Sequence, residues 1–160
     1  MLPAHTILFP TDFSEPSLSA FPVACSLARD CGARLIVLHV ALPPVGNEEL
    51  ETRREPDEYY EGFWAALRGV QAPEQNVCVE HRLEEGDAAT VIVNIAQDTG
   101  AGLIVMGTHG RTGLDRLLMG SVAEQVLRKA PCPVLTVKTP LPESPAAVRK
   151  LDVQSLPAVR

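Results

Sequence analysis

At 160 residues, with 46% hydrophobic and 21% charged side chains, the chain has the composition of one compact folded domain rather than a fibrous or disordered one. A formal net charge of −6 weighs against a nucleic-acid partner, whose phosphate backbone calls for a concentrated basic face. Neither a signal-peptide pattern nor an apolar run long enough to span a membrane occurs, so the expectation is a cytoplasmic protein with no membrane partner.

In chain order, the first strand is read over residues 5–10 (HTILFP), a short β-branched apolar run. A helical period follows in SLSAFPVACSLARDCG, where Leu18, Phe21, Cys25, Leu27 and Ala28 recur on one side. Pro22 lies inside that period and predicts a kink or a delayed start, and Gly32 stands where a left-handed closing residue is wanted. The second strand is RLIVLHV, residues 34–40. From Pro43 to Glu61 the chain turns polar and acidic. Residues 45–61 hold seven Asp or Glu against two Arg, a local net of −5, and are read as a solvated loop.

The next helical period is EYYEGFWAALRGV, with Tyr60, Phe63, Trp64, Leu67 and Val70 in phase. The third strand is placed at residues 76–83 (NVCVEHRL), and Asp87 is read as the cap of the following helix, DAATVIVNIAQDTG, which Gly100 closes. The fourth strand is GLIVMG (102–107), the last helix SVAEQVLRKA, and the fifth strand PVLTVK (133–138). The Pro-rich tail from Thr139 to Arg160 has no sustained period and is read as an extension, with AAVRKLDV as a short helix or docking arm. Strands alternating with helices imply a parallel sheet covered on both faces, and the continuous apolar runs LIVLHV and LIVM suit buried strands. The four cysteines, Cys25, Cys31, Cys78 and Cys132, are too scattered for a zinc site and are read as reduced core thiols.

In such a sheet, ligands bind beyond the carboxyl ends of the strands, where the strand order reverses. MGTHGRTGLDRLLMGS, residues 106–121, lies there. Its Gly107, Gly110, Gly113 and Gly120 let backbone N–H groups approach an anion, and the helix starting near Ser121 adds uncapped donors and a partial positive charge. His109 and Arg111 supply further donors, and residues 107–138 are locally +3 inside an acidic chain. The other reading of this loop is a tight turn, with Ser121 and Glu124 forming a capping box. Asp12, just after the first strand, fits a water-mediated Mg²⁺ ligand or equally the N-cap of the first helix. Val40 offers an apolar edge to an adenine-sized ring.

The spacing Gly107-x2-Gly110-x9-Gly120-Ser121, with ILFPTDFSEPS at the start and APCPVLTVK at the close, resembles the signature of the universal stress protein family. The likeness runs from about residue 4 to residue 138, leaving residues 139–160 as an addition past the usual end. It implies a single α/β domain, Rossmann-like, with an open five-stranded parallel sheet in the order 3-2-1-4-5. It also implies the nucleotide-binding branch of the family, with ATP, ADP or AMP as ligand. Position by position, adenine and ribose fall near Pro10, Thr11, Asp12 and Val40, and the phosphates against Gly107, Gly110, Arg111, Gly120, Ser121 and Val122, with Met106 packing below. The resemblance further implies a homodimer paired through the fifth strand, which would otherwise be an open edge.

Several chemistries lack their residues. The loop has no G-x-x-x-x-G-K-[S/T] lysine, MGSVA lacks the second glycine of a nucleophile elbow, and PTDFSEP is not the S-G-G-x-D-S loop of the pyrophosphatases on this kind of sheet. HGRTG follows the wrong strand for a nucleotidyl transferase, and a phospho-acceptor receiver domain would need an acidic pair where Asp12 stands alone. No catalytic residue is assigned. The sequence points to a regulatory or stress-response nucleotide-binding protein, with a slow Mg-dependent ATPase as the alternative.

Overall fold

The computed structural model describes residues 5–43, 56–73, 75–108 and 119–138. The strands are β1 (Thr6–Pro10), β2 (Arg34–Ala41), β3 (Val79–Glu85), β4 (Leu103–Gly107) and β5 (Val134–Val137). All pairings are parallel and the strand order is β3-β2-β1-β4-β5. Parallel neighbours need crossovers. These are supplied by α1 (Glu15–Leu18), α2 (Phe21–Cys31), α3 (Pro56–Gly69), α4 (Ala88–Asp98) and α5 (Ser121–Lys129).

Alternation along the strands sorts their side chains onto two faces. Ile7 and Phe9 of β1, Leu35 and Val37 of β2 and Val105 of β4 face α2 and α3, where Phe21, Ala24, Phe63 and Leu67 complete one core layer. Leu8, Leu38, Ile104 and Met106 face the other way and pack against Ile92 and Ile95 of α4 and Ala123 and Val126 of α5. Each fully buried Leu, Ile or Phe contributes about 1.5–3 kcal/mol relative to exposure, so the two layers together fix the sheet between its helices. At the outer edge, Tyr60 of α3 donates to Glu85 of β3 at 2.6 Å, tying helix to strand.

The delayed helix start expected from Pro22 is found, and two other local expectations need correction. The first helical period is divided, with a break at Ser19 and Ala20 before α2 begins at Phe21. Pro22 then sits in the first turn of α2, where its missing N–H has no intrahelical partner to lose. β3 starts at Val79 rather than residue 76, because residues 75–77 turn and Val77 is buried ahead of the pairing that starts at Leu35 and Val79. The cysteines are not all core thiols: Cys25 is buried, but Cys31 on the solvent side of α2 and Cys78 ahead of β3 are exposed. Gly32 (φ 62°) and Gly100 (φ 61°) adopt the left-handed conformation expected of closing residues. The acidic segment is described only from Pro56, where it is already helix α3, and the tail after Lys138 lies outside the described residues.

Candidate functional site

Because β1 is followed by β2 on one side and is flanked by β4 on the other, the strand order reverses between β1 and β4. Pro10 pairs with Leu38, and Leu8 pairs with Ile104, so the carboxyl ends of β1, β2 and β4 finish side by side. Thr11, Asp12, Val40 and Gly107 therefore lie along one edge of the sheet, at the switch point.

The turn leaving β1 is held by its own side chains. The Thr11 N–H donates to the Leu38 carbonyl at 2.8 Å, and the Thr11 carbonyl accepts from Nδ1 of His39 at 2.8 Å. Thr11 Oγ1 accepts from the Phe13 N–H at 3.0 Å and from the Ser17 hydroxyl at 2.9 Å. One oxygen of Asp12 accepts from the backbone N–H of Ser14 at 3.0 Å and from its hydroxyl at 2.5 Å. Phe13 adopts φ 63°, a left-handed conformation costing a non-glycine residue about 1–2 kcal/mol. It is fully buried, with its ring 4.5 Å from that of His39, so packing and hydrogen bonds together impose the strained turn.

The second half of the site is the end of β4 and the start of α5. A Cβ on Gly107 would lie 2.7 Å from the Pro16 carbonyl oxygen and 3.1 Å from Ser17 Cα, so the glycine lets α1 close over β4. Gly120 donates its N–H to the Thr108 carbonyl at 2.7 Å, pinning the start of α5 to the end of β4. Gly120 is the N-cap of α5, with φ −61° and ψ 151°, and among the described residues no side chain caps this helix end. Those dihedrals suit any residue, and a Ser, Asp or Asn would cap better. These dihedrals thus do not call for glycine, and among the described residues no side chain takes up the first-turn N–H groups of α5, which a helix end presents to an approaching anion.

The capping-box reading fails on this geometry. Ser121 is the first helical residue rather than the cap, and Glu124 instead pairs with Arg128 at 2.8 Å. Asp12 is not the N-cap of α1 either; that place is taken by Ser14, whose hydroxyl accepts from the Ser17 N–H. Val40 and Val122 are half-buried and pack with buried Met106 on the α4/α5 face. Pro10 and Thr11 are buried, Asp12 and Gly120 half-buried, and Ser121 exposed. His109, Gly110, Arg111 and Gly113 lie outside the described residues. His39, Ser14 and Ser17 were not singled out in the sequence. Their signal is faint: a polar residue inside an apolar strand, and two serines three apart ahead of a helical period. Among the described residues, no group of three or more His, Cys, Asp or Glu could hold a metal ion, and no helix is long and apolar enough to cross a membrane.

The fold and this edge define a doubly wound α/β protein of Rossmann-like type with a glycine-capped helix terminus at its switch point. The Universal stress protein family matches residues 3–138, and the chain belongs to that family. Universal stress protein MJ0531 of Methanocaldococcus jannaschii is 40% identical over 146 residues, 86% of this chain and 84% of that protein. A universal stress protein of Thermus aquaticus is 36% identical over 140 residues, 83% of this chain and 98% of the relative. Among solved structures, a universal stress protein in complex with cAMP is 26% identical with a TM-score of 0.63, covering 86% of this chain and 98% of its own. UspA from Lactobacillus plantarum, 24% identical with a TM-score of 0.71, covers 84% and 97% and shares the fold.

Proposed function

We propose that the chain is an adenine nucleotide-binding universal stress protein of the cytoplasm, with ATP, ADP or AMP as ligand, acting as a regulatory or stress-response module. The observation that carries this reading is the start of α5: a glycine N-cap whose dihedrals do not require glycine, on a helix end that no described side chain caps, pinned beside the end of β4. A relative solved with cAMP adds support for an adenine ring. In this reading adenine and ribose rest near Pro10, Thr11, Asp12 and Val40. The phosphates lie against Gly107, Gly110, Arg111, Gly120, Ser121 and Val122, with Met106 as the floor. Asp12 holds Mg²⁺ through water, the metal completing its shell with phosphate oxygens rather than further side chains. Residues 1–138 form the binding domain and 139–160 an extension. Two copies pair through β5, whose Leu135 is 39% exposed.

The test is a thermal melt of nucleotide-stripped protein with and without Mg-ATP. Ligand at a hundred times its dissociation constant adds about 2.7 kcal/mol, which for a domain of this length raises Tm by several degrees. In Gly120→Val, a branched side chain blocks the phosphate path while the backbone stays allowed, so a folded variant should show no shift. A wild-type protein that is folded, empty and unshifted would sink the reading. Phosphate release that disappears in Asp12→Ala while binding persists would instead make the protein a slow ATPase.

A further inference from the structure

The Thr11 backbone is held on both sides by β2, through Leu38 and through His39. A carbonyl oxygen only accepts, so Nδ1 of His39 carries the proton. The ring is 6% exposed and lies between Phe13, 4.5 Å away, and Phe63 of α3, 4.8 Å away, so its orientation is set by packing on two sides. The Thr11 carbonyl and the Asp12 N–H belong to one planar trans peptide and point in opposite directions. Holding the carbonyl toward His39, on the α3 face, therefore turns the Asp12 N–H toward the opposite face, where Val40, Met106 and Val122 gather.

We infer that His39 is a positioning residue for the nucleotide loop, its Nδ1–H fixing the Thr11–Asp12 peptide in the orientation that receives the adenosine end of the ligand. The inference rests on the nucleotide reading above and adds to it the residue that preorganises the loop. Without the donor, the buried Thr11 carbonyl loses its partner and the peptide rotates to find another, so the competent conformation is populated only part of the time. The side chain acts through Thr11 without touching the ligand.

Two substitutions separate the donor from the ring. His39→Phe keeps an aromatic between Phe13 and Phe63 but has no donor, whereas His39→Asn keeps an N–H near the Nδ1 position and gives up the ring. His39→Met is a second donor-free variant should Phe overpack the site. The measurements are ATP affinity by calorimetry and hydrogen exchange of the Phe13 and Ser14 amides in nucleotide-free protein. The expected result is affinity roughly tenfold weaker and faster exchange in Phe and Met, with Asn restoring both to within about threefold of wild type. Wild-type affinity and exchange in Phe or Met, or an Asn variant as impaired as they are, would overturn the inference. The exchange measurement needs no ligand. A wild-type protein that binds no nucleotide would thus refute the functional reading, while the exchange arm still decides whether His39 holds the loop.

Discussion

Asp87 starts α4, and its carboxylate accepts from both the Thr90 N–H at 3.0 Å and the Thr90 hydroxyl at 2.6 Å. Those bonds, the hydroxyl first, hold its carboxyl below the ordinary 3.8, with Lys129 helping by charge. Such a group binds fewer protons folded than unfolded, so its stabilisation is complete above the ordinary value and fades as pH falls through the lower folded one. Asp87→Asn keeps a capping oxygen but cannot titrate. Wild type should melt above Asp87→Asn at neutral pH, and the difference should shrink as pH falls below the ordinary carboxylate value; a difference that stays constant on acidification would contradict the assignment. Asp87 was legible from the sequence because a capping residue speaks only to its own helix. Asp12 was not, because Ser14 competes for the same role two residues on, and the choice depends on Phe13 taking a left-handed turn that only tertiary packing imposes. The same limit hid His39, whose partner, the Thr11 carbonyl, is 28 residues distant.

At the scale of elements, the order of strands and helices could be read from apolar periodicity, because short β-branched runs such as LIVLHV suit a strand buried on both sides and alternate with segments of helical period. Their ends were less legible. The start of β3 depends on where β2 begins to pair, and the break between α1 and α2 depends on how closely α1 must sit on β4. Gly107 records that approach. Gly107→Ala drives a Cβ into backbone at Pro16 and Ser17, which cannot swing aside as a side-chain tip could. Urea unfolding should show a loss of about 1–3 kcal/mol, the usual cost of overpacking, before any ligand is added. Wild-type stability in Gly107→Ala would mean that α1 is not held against β4. Glycine at this position thus has an architectural role whether or not a phosphate also lies beside it, whereas the dihedrals of Gly120 are open to any residue.

For the whole molecule, the sheet ends in two unlike edges. β3 is tied to β2 by the Arg34 and Glu80 pair at 3.1 Å and to α3 by the Tyr60 bond, while β5 leaves Leu135 39% exposed at the surface. An apolar edge strand invites another strand, which is the physical basis for the pairing of two copies proposed there. If two copies pair through β5 as proposed, wild type should sediment as a dimer and Leu135→Glu, which would place a charge on each partner at the seam, as a monomer; a variant that still sediments as a dimer would move the interface elsewhere. The bond from Gly120 to Thr108 bears on a different property, the capacity of this scaffold to change. Since the two ends of the intervening segment meet at 2.7 Å, the sheet and α5 are closed independently of what the segment contains. Doubling its length would cost only about 0.6 kcal/mol of closure entropy. Evolution can therefore rewrite the segment as an exchangeable insert in a frame that does not register the change.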